Sequence, residues 1–253
     1  MKITILGSGT AVPRLNRNMS GYLLEIGNKK ILFDSGPGTI RQLLKLKVQI
    51  PGIDNIFYTH FHPDHINDLP GILVVNHCNN FKGPLNLHGP VGIEEYFNFV
   101  KRATMGKLNY NVKVKEMKNN SRIKIPINNK NDNKDVIIKS VKSKHTKNSV
   151  SYRIENNEKS IVYSGDTDYS KEIIKISRNA DLLILECSFP DNKKVKGHLT
   201  PSLCGKIATK ANVKKLVLTH LYPECDKVDI KKQCSKEYDG NIVLAKDFMT
   251  LKM

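Results

Sequence analysis

The chain has no tryptophan, and aromatic residues of all kinds make up only 7% of its 253 positions. No aromatic pattern of the RNP type is present, so a base-stacking platform is not evident. Long apolar runs are also missing. Nothing approaches the ~18 residues of a membrane-crossing helix, so no membrane span is expected. The first residues, MKITILGSGTAV, lack a basic leader, a separate apolar run and a small-residue cleavage site. They read as a first strand rather than a signal peptide, and the cytoplasm is the default expectation. Five cysteines occur (Cys78, Cys187, Cys204, Cys225 and Cys234), an odd count with no CxxC. Neither a disulfide framework nor a cysteine-rich zinc module is indicated, and a reducing compartment fits. Acidic residues are in deficit: 24 Asp and Glu face 41 Lys and Arg, for a net charge of +17. Residues 101–160 alone carry 16 basic and 5 acidic side chains. Such a surface attracts polyanions but says nothing about fold. The excess also comes with 25 asparagines, a joint enrichment that reads as a compositional habit.

The length suits one large domain, or two intimately packed halves, of about 1–130 and 131–253. Strands are expected at Lys2–Leu6, at Tyr22–Ile26 and Lys30–Phe33 around the turn signal Gly27-Asn28, at Ile53–Tyr58 and at Pro84–His88. Helices are expected over Thr39–Lys47, Ile66–Val75 and Gly92–Val100. Residues 106–139 read as short edge-like strands, with Asn128–Asp135 as a loop or insertion. An internal repeat supports two halves. SGYLLEIGNKKILFDSG (20–36) returns as VSYRIENNEKSIVYSGD (150–166), matching Tyr22 to Tyr152 and Phe33 to Tyr163. A second echo joins IFYTHFHPDH (56–65) to LVLTHLYPEC (216–225). A site formed between such halves would draw residues from both.

The strongest chemical signal is T59-H-F-H-P-D-H65. His60, His62 and His65 offer imidazoles and Asp64 an oxygen, the donors that suit zinc or a similar borderline metal. Two histidines two apart at a strand end point the same way, so both can face one ion. Four ligands in six residues exceed the three that an open catalytic zinc keeps, which hints at two metals. His220 ends the apolar run KLVLT and is the repeat image of His60. Asp166 ends the repeated hairpin, where a carboxylate could bridge two ions, and His145 follows the strand Val136–Val141. His77 and His88 have no comparable context. The Gly7–Thr10 loop is not a dinucleotide fingerprint, because Val12 stands at its last glycine position.

The set His60, His62, Asp64, His65, His145, Asp166 and His220 resembles that of the metallo-β-lactamase superfamily of di-metal hydrolases. More narrowly, GSGTAVPRLNRN (7–18), FDSGPGTIRQL (33–43), H145-TKNSVSYR, L185-ECSF with G197-HLT, and T219-H220 resemble the ribonuclease Z branch and its armless phosphodiesterase relatives. The resemblance covers nearly the whole chain in order. It implies an α/β fold, a four-layer αββα sandwich of two mixed β-sheets with the cleft at one edge. It implies two zinc ions, with manganese and iron as alternatives. His60, His62 and His145 would hold one, Asp64, His65 and His220 the other, and Asp166 would bridge. A metal-bound hydroxide would attack phosphorus. Glu186 would orient His198 as general acid, Asp64 would help position the water, and Arg17 and Arg153 match the branch's phosphate-gripping positions. A homodimer is a further expectation.

The branch's tRNA-processing members carry a long basic arm that grips the tRNA elbow, between the third histidine and the bridging aspartate. Here Asp166 follows His145 by only 21 positions, and the repeated hairpin fills the interval. The favoured expectation is therefore hydrolysis of a small or unstructured phosphodiester. The alternatives are ribonuclease Z-like tRNA 3′ processing, with RNA held by the basic 101–160 stretch, and a lactonase or thioesterase on the same fold. A metal-binding RNA module without catalysis would need a damaged ligand set, and all seven positions are filled.

Overall fold

The computed structural model describes residues 1–127 and 135–253, so most of the expected insertion at Asn128–Asp135 lies outside the described residues. One sheet contains β1 (Lys2–Gly7), β2 (Gly21–Ile26), β3 (Lys29–Ser35), β4 (Asn55–Phe57), β5 (Leu85–Gly89) and β6 (Val112–Glu116) in that order. A second contains β7 (Arg122–Ile125), β8 (Val136–Lys142), β9 (Val150–Asn156), β10 (Lys159–Tyr163), β11 (Leu182–Glu186), β12 (Lys215–Thr219) and β13 (Asn241–Leu244). The last strand, β14 (Thr250–Lys252), returns to the first sheet beside β1. Both sheets are mixed. β1–β3 and β7–β10 run antiparallel to their neighbours, whereas β3–β6 and β10–β13 are parallel.

Helices α1 (Thr39–Lys45), α2 (Pro63–Ile66), α3 (Leu69–Cys78) and α4 (Ile93–Thr104) belong to the first sheet's half. Helices α5 (Lys171–Ile176), α6 (Pro201–Ala211) and α7 (Ile230–Ser235) belong to the second's. Three apolar clusters define four layers. One lies between the sheets, one joins the first sheet to α1, α3 and α4, and one joins the second sheet to α5–α7. The sheets expose apolar side chains on both faces, so each needs a helical layer outside and the other sheet inside. The expected αββα sandwich is what forms. No helix among the described residues is long and apolar enough to cross a membrane. All five cysteines are free, and only Cys78 is exposed.

The expected helix Ile66–Val75 is instead two pieces, α2 and α3, with Asp68 between them. Asp68 turns its carboxylate to the backbone N–H groups of Gly38 and Ile40, at 3.2 and 2.8 Å. It thereby satisfies donors at the start of α1 that helix geometry leaves free. Pro70 follows in the first turn of α3, where no N–H is missed.

The repeat has a packing reason. β2–β3 and β9–β10 are hairpins whose turns use positive φ, at Gly27 (53°) and Asn157 (53°), as two-residue turns require. Tyr22 pairs with Phe33 across one hairpin, and Tyr152 with Tyr163 across the other. The four rings meet between the sheets, Tyr22 on Tyr163 at 4.4 Å and Phe33 on Tyr152 at 5.7 Å. The second echo does not extend to strand position. β4 lies next to β3, but β11 stands between β10 and β12. The shared Thr-His stretch thus marks similar strand-end chemistry in different places of the two sheets.

Candidate metal centre

Parallel strands release their chains at one edge of the sandwich. There the segments after β3, β4, β8, β10, β11 and β12 converge. Two glycines allow the approach. A Cβ on Gly36 would lie 2.0 Å from the Asp64 carbonyl oxygen, and one on Gly165 would lie 2.6 Å from Thr59 Cβ. Gly165 also has φ +55°, which side-chain-bearing residues rarely adopt.

Seven predicted donors meet at this edge. One group joins His60, His62, His145 and Asp166, and a second joins Asp64, His65 and His220. Asp166 lies between them. Its Oδ2 is 3.7 Å from both His60 Nε2 and His145 Nε2, while its Oδ1 is 3.2 Å from His65 Nε2 and 3.5 Å from His220 Nε2. His145 Nε2 faces His62 Nδ1 at 3.1 Å, and His220 Nε2 faces both Asp64 Oδ2 at 3.2 Å and His65 Nε2 at 3.3 Å. A tetrahedral ion with bonds of about 2.0–2.1 Å has ligand–ligand edges of roughly 3.3–3.4 Å, so these spacings suit shared coordination. Two atoms support this directly: His60 Nε2 and Asp166 Oδ1 are buried without a hydrogen-bond partner. A buried polar atom left unpaired is costly unless something else binds it. The donor set fits a divalent cation.

The far sides of the imidazoles are fastened. His60 Nδ1 meets Thr59 Oγ1 at 3.0 Å, His65 Nδ1 meets Asp34 Oδ2 at 2.8 Å, and His145 Nδ1 meets the Gly197 carbonyl at 3.0 Å. His220 Nδ1 meets Ser188 Oγ at 3.0 Å, and that hydroxyl donates to Glu186 Oε2 at 2.5 Å. Such partners fix ring orientation and leave Nε2 for an ion. Asp34 also receives Tyr163 Oη, Thr59 Oγ1 and the Thr59 N–H, at 2.6, 2.9 and 2.8 Å. Two non-glycine residues at the centre hold positive φ, Asp34 at 53° and His220 at 56°. Strained backbone of this kind persists where surrounding contacts enforce it.

Charge is distributed unevenly in the cluster. Burial, aided by His65, His145 and His62 and resisted by Asp166, drives His60 well below the usual imidazole range. Burial would lower His65 as well, but Asp166 and Asp34 overcome it and hold the ring well above that range. Burial raises Asp166, yet His220, His65 and His60 outweigh it and keep the carboxyl well below its usual range. Two buried carboxylates, Asp166 and Asp34, thus favour positive charge at His65, the kind of charge a bound cation would supply there.

Glu186 and His198 also meet. His198 Nδ1 donates to Glu186 Oε1 at 3.0 Å, and Glu186 further accepts from the N–H groups of Thr167 and Leu199. The His198 ring lies 4.8 Å from that of His145 and 5.9 Å from that of His220, at the edge of the cluster. Burial lowers its pKa, but the bond to Glu186 and the charges of Glu186 and Asp166 raise it above the usual value.

The two arginines do not join the cluster. Arg153 follows the inward-facing Tyr152, so strand alternation turns it to the outer face of the second sheet. There it binds Glu155 at 2.7 Å and the carbonyls of Ile176 and Arg178, both at 2.9 Å. Arg17 braces its own loop, donating to Ser8 Oγ at 2.9 Å and the Ala245 carbonyl at 2.6 Å. His88 and His77 stay outside the centre: His88 stacks on Phe57 at 4.2 Å, and His77 Nδ1 accepts the Asn109 N–H. Sequence reasoning missed Asp34, Thr59, Tyr163 and Ser188. Only Asp34 carried a signal, as an acid inside the apolar run KKILFDSG.

Comparison with known proteins agrees with this picture. The β-lactamase superfamily domain profile matches residues 29–221. The ribonuclease Z of Picrophilus torridus is 30% identical over 270 aligned positions, covering 87% of this chain and 85% of that protein. Among solved structures, the metallo-β-lactamase fold protein YhfI from Bacillus subtilis superposes with a TM-score of 0.84 at 25% identity, covering 99% of this chain and 98% of the other. Human tRNase Z, short form, gives 0.79 at 26% identity, covering 100% and 99%.

Proposed function

The chain belongs to the β-lactamase superfamily, in its ribonuclease Z-like branch, and is a metal-dependent hydrolase; on that premise we propose that it is a di-zinc phosphodiesterase favouring small or unstructured substrates. The observation that carries this reading is the double-facing Asp166, one oxygen toward each group of donors. His60, His62 and His145 would hold one ion, Asp64, His65 and His220 the other, and Asp166 both. Two bound zinc ions would supply a water activated at neutral pH and counter-charge for the phosphoryl oxygens.

The chain's own residues do the rest. Glu186 anchors Nδ1 of His198, which leaves Nε2 of the same ring to act as the donor. In this reading His198 hands its proton to the leaving oxygen, and Glu186 and Asp166 favour the protonated ring. Asp64 accepts at the cluster beside His220 and helps position the attacking water. Asp34 holds His65 rigid through Tyr163 and Thr59.

The preference for small or unstructured substrates rests on what separates His145 from Asp166. That interval consists of a short loop and the β9–β10 hairpin, whose rings are committed to the inter-sheet core. A protruding arm has no chain to form it. A second reading, tRNA 3′ processing, draws on the relatives' names, ribonuclease Z and tRNase Z.

Both readings are tested by one pair of reactions on zinc-loaded protein with Asp64→Ala as control. Bis-p-nitrophenyl phosphate is one substrate and a tRNA precursor with a 3′ trailer the other, with zinc counted per chain. Asp64-dependent nitrophenol release, an intact precursor and two zinc ions are the expected result. Cleavage of the precursor promotes the second reading. Failure on both substrates with metal bound removes the phosphodiester assignment.

A further inference from the structure

A groove runs down the outer face of the second sheet, between α5 and β7–β9. It has a volume of about 460 Å³ and is floored by Ser121, Ser140 and Val141. Five cations line it: Arg122, Lys139, Arg153, Lys175 and Arg178; the one carboxylate is that of Glu155. Glu155 is already engaged by Lys139 at 2.6 Å and Arg153 at 2.7 Å. Arg122, Lys175 and Arg178 are exposed, and no carboxylate among the described residues lies within ion-pair distance of them. Arg122 and Lys139 stand opposite each other in the β7–β8 register, so both present charge at one level.

The chain that lines the groove runs on to the metal centre. Its upper end, at Asn120 and Val141, is continuous in the chain with a second hollow of about 310 Å³ lined by Asn119, Lys142 and Lys144, with Glu172 opposing. Ser143 lines that hollow and donates from Oγ to the Asp166 carbonyl at 3.0 Å. His145 is the next residue but one. From Lys139 the strand carries the path about 10 Å to Lys142, and His145 lies three residues further on.

We propose that this groove seats an extended single strand of nucleic acid, whose phosphates follow the cations and lead a scissile diester to the metal centre. The proposal rests on the phosphodiesterase reading and names a substrate class for it. An unstructured polyanion matches a concave track lined by unneutralised cations better than a flat membrane surface does. No aromatic side chain lines the groove, so recognition is by phosphate and sequence-tolerant. A strand held here runs over the sheet itself and needs no separate arm.

The test uses the triple variant Arg122→Ser, Lys175→Ser, Arg178→Ser. These residues are exposed and outside the metal centre, so folding and hydrolysis of bis-p-nitrophenyl phosphate should be unchanged. Binding of a labelled RNA about 12 nucleotides long, and of DNA of the same sequence, is followed by anisotropy over a salt series. The wild-type protein should bind both, with affinity falling steeply as salt rises. The variant should bind on the order of tenfold or more weaker, with a log–log salt slope shallower by about 2, as expected for three lost phosphate contacts. Wild-type affinity and slope in the variant would overturn the proposal. So would binding of phosphatidylserine vesicles but neither oligonucleotide. Binding is read without turnover, so a protein that binds through the groove yet leaves every diester intact supports the groove and removes the phosphodiesterase reading.

Discussion

Replacing Asp34 by Asn removes one charge at the hub of the metal centre without disturbing the backbone. Asp34 has φ 53°, and asparagine tolerates that left-handed region better than most residues. The carboxylate accepts four hydrogen bonds, three of them on Oδ2, from His65, Tyr163 and Thr59. An amide can keep the three only by turning its NH2 against the Thr59 N–H, and the opposite flip sets NH2 against all three. At least one buried donor is left unpaired, which costs about 1–3 kcal/mol. The charge-assisted bond to His65 becomes a neutral one, for a further loss of about 1 kcal/mol. Global stability should therefore fall by about 2–4 kcal/mol. Zinc affinity should fall by roughly 10–100-fold, because His65 is no longer held in one tautomer and orientation. Urea unfolding of the metal-free protein measures the first, and competition with a zinc chelator the second. An Asp34→Asn protein that matches the wild type in both would refute the role given to Asp34, and with it the idea that the far sides of the imidazoles govern the centre.

Three further outcomes are expected. His198→Gln should slow cleavage of a diester with a poor alkoxide leaving group by roughly 10²–10⁴-fold, yet spare bis-p-nitrophenyl phosphate, whose leaving group needs no proton; equal losses on both would assign His198 to something other than proton donation. Burial, with Lys115 nearby, depresses His88 from 6.5 to about 4, so the unfolded chain binds more protons between those values and stability rises with pH across that window. The wild type should lose about 2 kcal/mol more than His88→Phe between pH 7 and pH 5, as read by denaturant midpoints. Removing metal with a chelator should lower the melting temperature, and restoring zinc to about 100 times its dissociation constant should return about 2.7 kcal/mol; a melting curve indifferent to zinc would argue against occupation of the cluster.

Much of the centre was legible in the sequence because its spacing is chemical. His60, His62, Asp64 and His65 crowd six positions at a strand end, and no ordinary surface loop needs them there. Asp166, His145 and His220 stood out for the same reason, as polar residues ending apolar runs. The hairpin repeat was legible because Tyr22, Phe33, Tyr152 and Tyr163 occupy matched positions in it. The place of Arg153 was hidden, since a residue type reveals charge but not which face of a strand carries it. Here Tyr152 claims the inner face, and Arg153 is left to Glu155 and the end of α5. The break between α2 and α3 was equally hidden, because Asp68 answers to backbone donors in α1, 30 and 28 residues earlier in the chain.

By itself the sequence determined the donor types, the apolar periods that make two sheets, and a charge excess toward one sign. The tertiary structure decided which oxygen of Asp166 serves which group of donors, that Asp34 and Ser188 stand behind the histidines, and that Arg122, Lys175 and Arg178 line one groove. Those are relations between residues far apart in the chain. Local propensity has no term for them; they arise only when two sheets close on a common core and bring their strand ends to one edge.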